Sequence, residues 1–445
     1  MNIFTQSVSL FEFKLLCNLL YTHFKLFKNI RITTLMKNEK WIIYLLAALN
    51  FTHIMDFMIM MPLGEIFMST FHLRPDQFSL LVSSYTICAA LSGFFASFVV
   101  DRYDRKVSLI FVYTGFILGT IACGFANQYH LLLLTRGLTG VFGGIMGAQV
   151  MAIVTDLVPY ERRGKAIGML MAAFSAASVV GVPFGLYLAT HYNWNFPFFL
   201  IGGLGLLLIY PIIRLLPKLD SHLMDGKPPV NPVRTFNEVF KARNNRIALL
   251  QTYLATCSHF IIIPFITPYM IRNVGFAQGD IVYIYMIGGI ATVFSAPFTG
   301  KMIDKFNARS VYFILVFAAM VPVLLLTHLP AVSLAPALIV TTLFFILGGS
   351  RFIPSSTAVT GAIPPKIRGS FMSFNSSAQQ LGTASASLAA GYIIFADGDG
   401  PIQGYGTTGL VATAISLLSL LVLSRLKLYK APEVSLEREN KSLPT

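Results

Sequence analysis

The chain reads as an all-α polytopic membrane protein, with 12 transmembrane helices forming two pseudo-symmetric six-helix bundles. Three observations predict this. Charged residues make up only 12% of the 445 residues and apolar ones 55%, whereas a soluble domain carries about 25% charged residues. Apolar runs of about 20 residues, the length a helix needs to cross a bilayer, recur along the chain. A charged phrase between two such runs, Asp101-Arg102-Tyr103-Asp104-Arg105-Lys106, returns about half a chain later as Asp304-Lys305-Phe306-Asn307-Ala308-Arg309. With a mean hydropathy of +0.69, most of the apolar surface must face lipid.

Spans are predicted near 41–66, 78–100, 107–127, 131–155, 166–190 and 197–216, and again near 246–271, 279–299, 310–328, 334–358, 370–395 and 405–426. The long charged break divides the chain into a bundle at 41–216, a cytoplasmic linker at 217–245, a second bundle at 246–426 and a tail at 427–445. Internal symmetry of this kind suits a carrier whose halves rock about a central site. Residues 1–40 precede the first span. There Phe13, Leu16, Leu20, Phe24 and Phe27 recur at helical spacing among Lys14, Lys25, Lys28 and Arg31. They form either a basic amphipathic helix on the inner leaflet or a stretch upstream of a true start at Met36.

The net charge of +14 is a topology signal and does not imply nucleic acid. Of the 33 Lys and Arg, Arg74 and Arg272 fall on one side and Arg136 and Arg351 inside spans; the rest lie in tails and loops on the other side. Basic loops stay cytoplasmic, so both termini are expected on the inner side of the cytoplasmic (inner) membrane. Cys17, Cys88, Cys123 and Cys257 are scattered, without metal spacing or a disulfide framework. No nucleophile–base set or phosphate loop stands out, so no enzyme and no cofactor are expected.

An ionisable group inside a span is costly and marks a functional site by default. Asp56 is the one acid deep in a span, and Arg136, in the fourth span, is the base that needs a carboxylate. Burial and a neighbouring guanidinium act oppositely on an acid's proton affinity, so this pair is either a proton switch or a structural ion pair. His53 lies three residues before Asp56 on the same helix face, as a second proton site or as a neutral histidine satisfied locally. Gly140, Gly143 and Gly144 leave a face where another helix can approach. In the second half Arg351 has no deep acid and contacts either a substrate anion or backbone carbonyls. Asn50, His259, Asn375 and Gln379 are further cavity candidates, with ordinary interhelical bonding the alternative. In the first charged phrase, Arg105 is placed to pair with Asp156 at the end of the fourth span. Gly181, Pro183 and Gly185 predict a bend in the fifth span.

These residues resemble the major facilitator superfamily, in particular its proton-coupled, twelve-helix drug and sugar efflux carriers, over residues 41–426. Asp101-Arg102-x-x-Arg105-Lys106 resembles the superfamily's loop signature, and Gly300-x-x-x-Asp304-Lys305 its second-half echo. Ser97 and Asp104 stand where that signature has glycines. Arg136-x-x-x-Gly140 resembles the fourth-helix proton-coupling motif, and Gly181-Val182-Pro183-Phe184-Gly185 an antiporter motif interrupted by Val182. The resemblance implies a monomeric secondary transporter working by alternating access and driven by protons. Asp56, Arg136 and His53 would couple the proton, and Asp101, Arg102, Arg105, Lys106, Asp156, Asp304 and Lys305 would latch the conformations. It implies efflux of a drug-like, sugar or metabolite substrate. The alternatives are proton-coupled uptake of an anionic metabolite or siderophore, and a non-transporting sensor.

Overall fold

The computed structural model describes residues 39–99, 102–220, 232–398 and 400–429. Asp101, the amphipathic stretch before Met36 and most of the tail lie outside the described residues. Eleven helical segments among those described are long and apolar enough to cross a membrane, from Glu39–Ile59 to Tyr405–Ser424. A twelfth helix, Arg368–Ile393, is 26 residues long but rich in Ser, Gly and Ala. Its polarity is tolerated because protein covers it. Ser83 Oγ of the second span donates to Ala384 O at 3.1 Å, and Gly382 packs on the Tyr253 carbonyl. Small residues let backbones approach this closely where lipid supplies no drive to associate.

The spans follow the predicted order, with corrections where prolines intervene. The first span is not one helix over 41–66: it ends at Ile59, turns, and resumes as the short helix Gly64–Thr70. Pro62, lacking an N–H, cannot continue the ladder. The seventh span, Arg243–Phe260, likewise breaks up around Pro264 and Pro268 into short turns ending at Val274. The tenth is interrupted at Arg351, between Leu334–Ser350 and Phe352–Gly361. The bend expected in the fifth span is a π-helical turn, Ala177–Gly181, just before Pro183. Gly289 of the eighth span rests on the Ser178 backbone there, so the bend shapes the seam between the bundles. A helix at Pro232–Lys241 lies in the linker.

Packing differs between the two ends. One apolar cluster joins both halves at the end away from the linker, with Leu63, Phe67 and Phe78 of the first and Phe265, Ile266 and Tyr405 of the second. At the linker end the buried residues form two clusters, around Leu109, Val112 and Ile153 in the first half and Tyr312, Val316 and Phe371 in the second, and Phe94 of the second span packs on the latter against Phe374. The far end is therefore closed by one core shared between the halves, whereas at the linker end the halves meet through Phe94 and keep separate buried cores.

Candidate functional site

The first span carries Asp56 to where the fourth span presents Arg136. Arg136 Nη1 donates to Asp56 Oδ2 at 2.8 Å, with both side chains at most 1% exposed. Thr120 of the third span donates to the other carboxylate oxygen at 3.0 Å. The guanidinium also lies over the Tyr85 ring of the second span, 4.6 Å from its centroid. The Tyr85 hydroxyl and His53 Nε2 are 3.1 Å apart. His53 is half-buried where Asp56 is sealed, so Tyr85 and His53 run from the ion pair toward a more open position. Thr120 and Tyr85 carried no sequence signal, because hydroxyls are ordinary on membrane helices.

The glycines after Arg136 make this geometry possible. A Cβ on Gly140 would stand 2.8 Å from Tyr85 Cα, and one on Gly143 would stand 2.9 Å from Tyr85 Cζ. Backbone cannot yield as a side-chain tip can. Gly140→Ala is expected to push the second and fourth spans apart and lower stability by about 1–3 kcal/mol, the cost of overpacking. Thermal unfolding in detergent checks this against Gly147→Ala, where an added Cβ meets nothing within 4 Å. Equal stability of the two variants would refute the close approach.

At the linker end, Arg105 Nε pairs with Asp156 Oδ2 as the spacing predicts. Asp104, where the family signature has glycine, acts as a cap. Its Oδ1 accepts from Lys106 N at 2.8 Å and Val107 N at 3.1 Å, and its Oδ2 from Leu219 N at 2.9 Å. Lys106 Nζ donates to Ile213 O at the end of the sixth span, and Arg309 to Leu426 O beyond the twelfth, an echo between the halves. Arg102, Asp304 and Lys305 are exposed, and the tenth span ends at Thr360-Gly361 without an acid to face them. Among the described residues the second-half phrase thus does not build the ion-pair latch expected of it.

The cavity candidates divide. Asn50 donates to Leu170 O at 3.1 Å and Asn375 accepts from Thr252 at 2.6 Å, so both bond between helices; Gln379 is exposed. His259 and Arg351 are buried together in the second half. One pairing was not visible in the sequence. Arg272 Nε donates to both oxygens of Glu65, at 2.9 and 2.8 Å, and Nη1 to Gly398 O at 2.9 Å, tying the two halves at the far end.

The Major Facilitator Superfamily model matches residues 45–251 and 248–445. The MFS-type transporter YceJ of Bacillus subtilis is 24% identical over 353 residues, covering 79% of this chain and 88% of its own. A probable sugar efflux transporter of Mannheimia succiniciproducens is 24% identical over 234 residues, covering 52% of this chain and 57% of its own. The solved structure of a D-xylose-proton symporter matches with a TM-score of 0.69 at 14% identity, over 86% of this chain and 97% of that one. With twelve spans in two six-helix bundles and family matches over both halves, this chain belongs to the Major Facilitator Superfamily and is an integral membrane transporter, not an enzyme.

Proposed function

We propose that the chain exports a small molecule in exchange for protons, as a monomer in the cytoplasmic membrane with both termini inside and no cofactor beyond the proton gradient. The observation that carries this is the sealed Asp56–Arg136 pair, joined through Tyr85 to the half-buried His53. Protonating Asp56 removes the charge that holds Arg136, so one proton changes the balance of a buried network. The far end, closed by the shared core and Glu65–Arg272, is then the outer face, and the structure stands at the inward-facing end of the cycle. His53 passes the proton, and the Arg105–Asp156 pair steadies the inner ends of the first bundle. The sugar efflux relative supports outward transport.

The test is luminal pH in proteoliposomes across a panel of candidate solutes, with wild type and Asp56→Asn. Solute-triggered proton flux should fall at least tenfold in the variant while solute counterflow persists. Undiminished flux in Asp56→Asn would leave Asp56 a structural partner of Arg136. A second reading, uptake of an anionic metabolite, is favoured by Arg351, a buried base with no acid paired to it among the described residues. The sign of solute flux under an imposed proton gradient separates the two.

A further inference from the structure

The second bundle holds a cation that no acid among the described residues neutralises. Arg351 is 1% exposed, at the interruption of the tenth span. Its Nε donates to Gly348 O at 3.2 Å and its Nη1 to Ser416 Oγ at 2.9 Å; Nη2 is buried without a partner among the described residues. In sequence, the acids of the second bundle are Asp280, Asp304, Asp397 and Asp399, all at or beyond the ends of spans, and Glu433, Glu437 and Glu439 follow in the tail. The first bundle shows what a buried arginine requires, since Arg136 has Asp56. Leaving a guanidinium in a dry interior without a counter-charge is among the costliest arrangements a protein keeps.

A second unsatisfied group stands beside it. His259 of the seventh span is 6% exposed, and its Nδ1 is buried without a partner among the described residues. Its ring packs on Gly348: a Cβ there would lie 2.9 Å from His259 Cε1 and 3.1 Å from Nδ1. That same Gly348 supplies the carbonyl that takes Arg351 Nε, so one turn of helix holds both groups together. Around them are aromatic faces. His259 stacks on Phe344 at 5.2 Å and 17°, and meets the edges of Phe352 at 5.3 Å and Phe260 at 5.7 Å. Phe260 in turn meets Phe57 of the first bundle at 6.0 Å, and Phe57 meets Tyr85 at 5.7 Å. An aromatic bridge thus connects this cluster with the Asp56–Arg136 network across the seam between the halves.

We propose that Arg351 Nη2 and His259 Nδ1 form the anion subsite of the transported solute, which is an organic carboxylate with an aromatic body. The carboxylate supplies the charge that the second bundle lacks, and the rings of Phe260, Phe344 and Phe352 receive the apolar body. Occupation at the seam bears on Phe260 and Phe57, and so on the ring under Arg136. The proposal rests on the transport reading in taking the seam between the halves as the solute's path.

The experiment is thermal unfolding of the purified full chain in detergent, without a gradient, titrated with benzoate at constant ionic strength. Benzamide serves as the neutral isostere, and inorganic phosphate as an anion without a ring. Benzoate should raise Tm saturably by several degrees and benzamide should not. Arg351→Gln should abolish the response, and Asp56→Asn should keep it. Retention in Asp56→Asn makes the subsite independent of proton coupling, so either idea can fail alone. No saturable benzoate response in wild type, an equal response to benzamide, a response to phosphate alone, or persistence in Arg351→Gln each overturns the proposal. If Arg351→Gln does not fold, His259→Phe keeps the stacking and removes the ring nitrogens. It must weaken benzoate at least tenfold, and an unchanged apparent Kd refutes the site.

Discussion

Arg136→Met will be much less stable than the double variant Asp56→Asn/Arg136→Met. The single change leaves the Asp56 carboxylate, 0% exposed, with the Thr120 hydroxyl as its remaining hydrogen-bond donor among the described residues. Breaking a buried pair from one side costs about 3–5 kcal/mol, because the surviving charge stays desolvated. The double change removes both charges and keeps the volumes close. The amide that replaces the carboxylate still accepts from Thr120, and methionine fills the guanidinium's place beside the Tyr85 ring. Replacing a buried pair by neutral groups is often near neutral, so stability should return to within about 1 kcal/mol of wild type. Unfolding of the wild type, both single variants and the double variant in one detergent gives the coupling energy directly. A coupling near zero would mean that the pair is not the electrostatic unit its 2.8 Å contact describes. Under the proposed proton exchange, the rescued double variant should remain unable to move protons with solute, which separates the pair's part in folding from its proposed part in transport.

Much of this site was legible in the sequence, for a reason of scarcity. A deep acid and a deep base in the same bundle have few partners available, so Asp56 and Arg136 could be paired without coordinates. The repeated charged phrase likewise located Arg105 and Asp156. What escaped was decided by packing. Tyr85 and Thr120 are common residue types, and their part in the network depends on how closely Gly140 and Gly143 let the second span approach. Asp104, a departure from the family signature, is explained by the helix start it caps. Asp304 and Lys305 repeat the pattern without repeating the contact, since the tenth span offers no acid at its end. Hydropathy also hid the break at Pro62: an apolar run shows where a span lies, while the missing N–H decides where its helix stops.

That break leads to the other large effect, at the far end. Because the first span turns after Ile59, the short helix Gly64–Thr70 carries Glu65 across to Arg272, and the two side chains are 13% and 5% exposed. Hydrogen bonds to charged groups contribute about 1.5–3 kcal/mol each when shielded, and a tenfold population change needs about 1.4 kcal/mol. Opening the far end must break this pair, so its loss should favour the state open at that end about tenfold or more. Arg272→Gln should act more strongly than Glu65→Gln, because Arg272 also donates to Gly398 O. Spin labels on Ser69→Cys and Ala331→Cys, exposed at the far ends of the two halves, would report this as growth of a longer-distance population. The charge-reversed double variant Glu65→Arg/Arg272→Glu should restore much of the short-distance population, because the pairing survives reversal. Unchanged distances in both single variants would show that the shared core around Phe78 and Phe265 closes the far end by itself, with the ion pair a passenger on it.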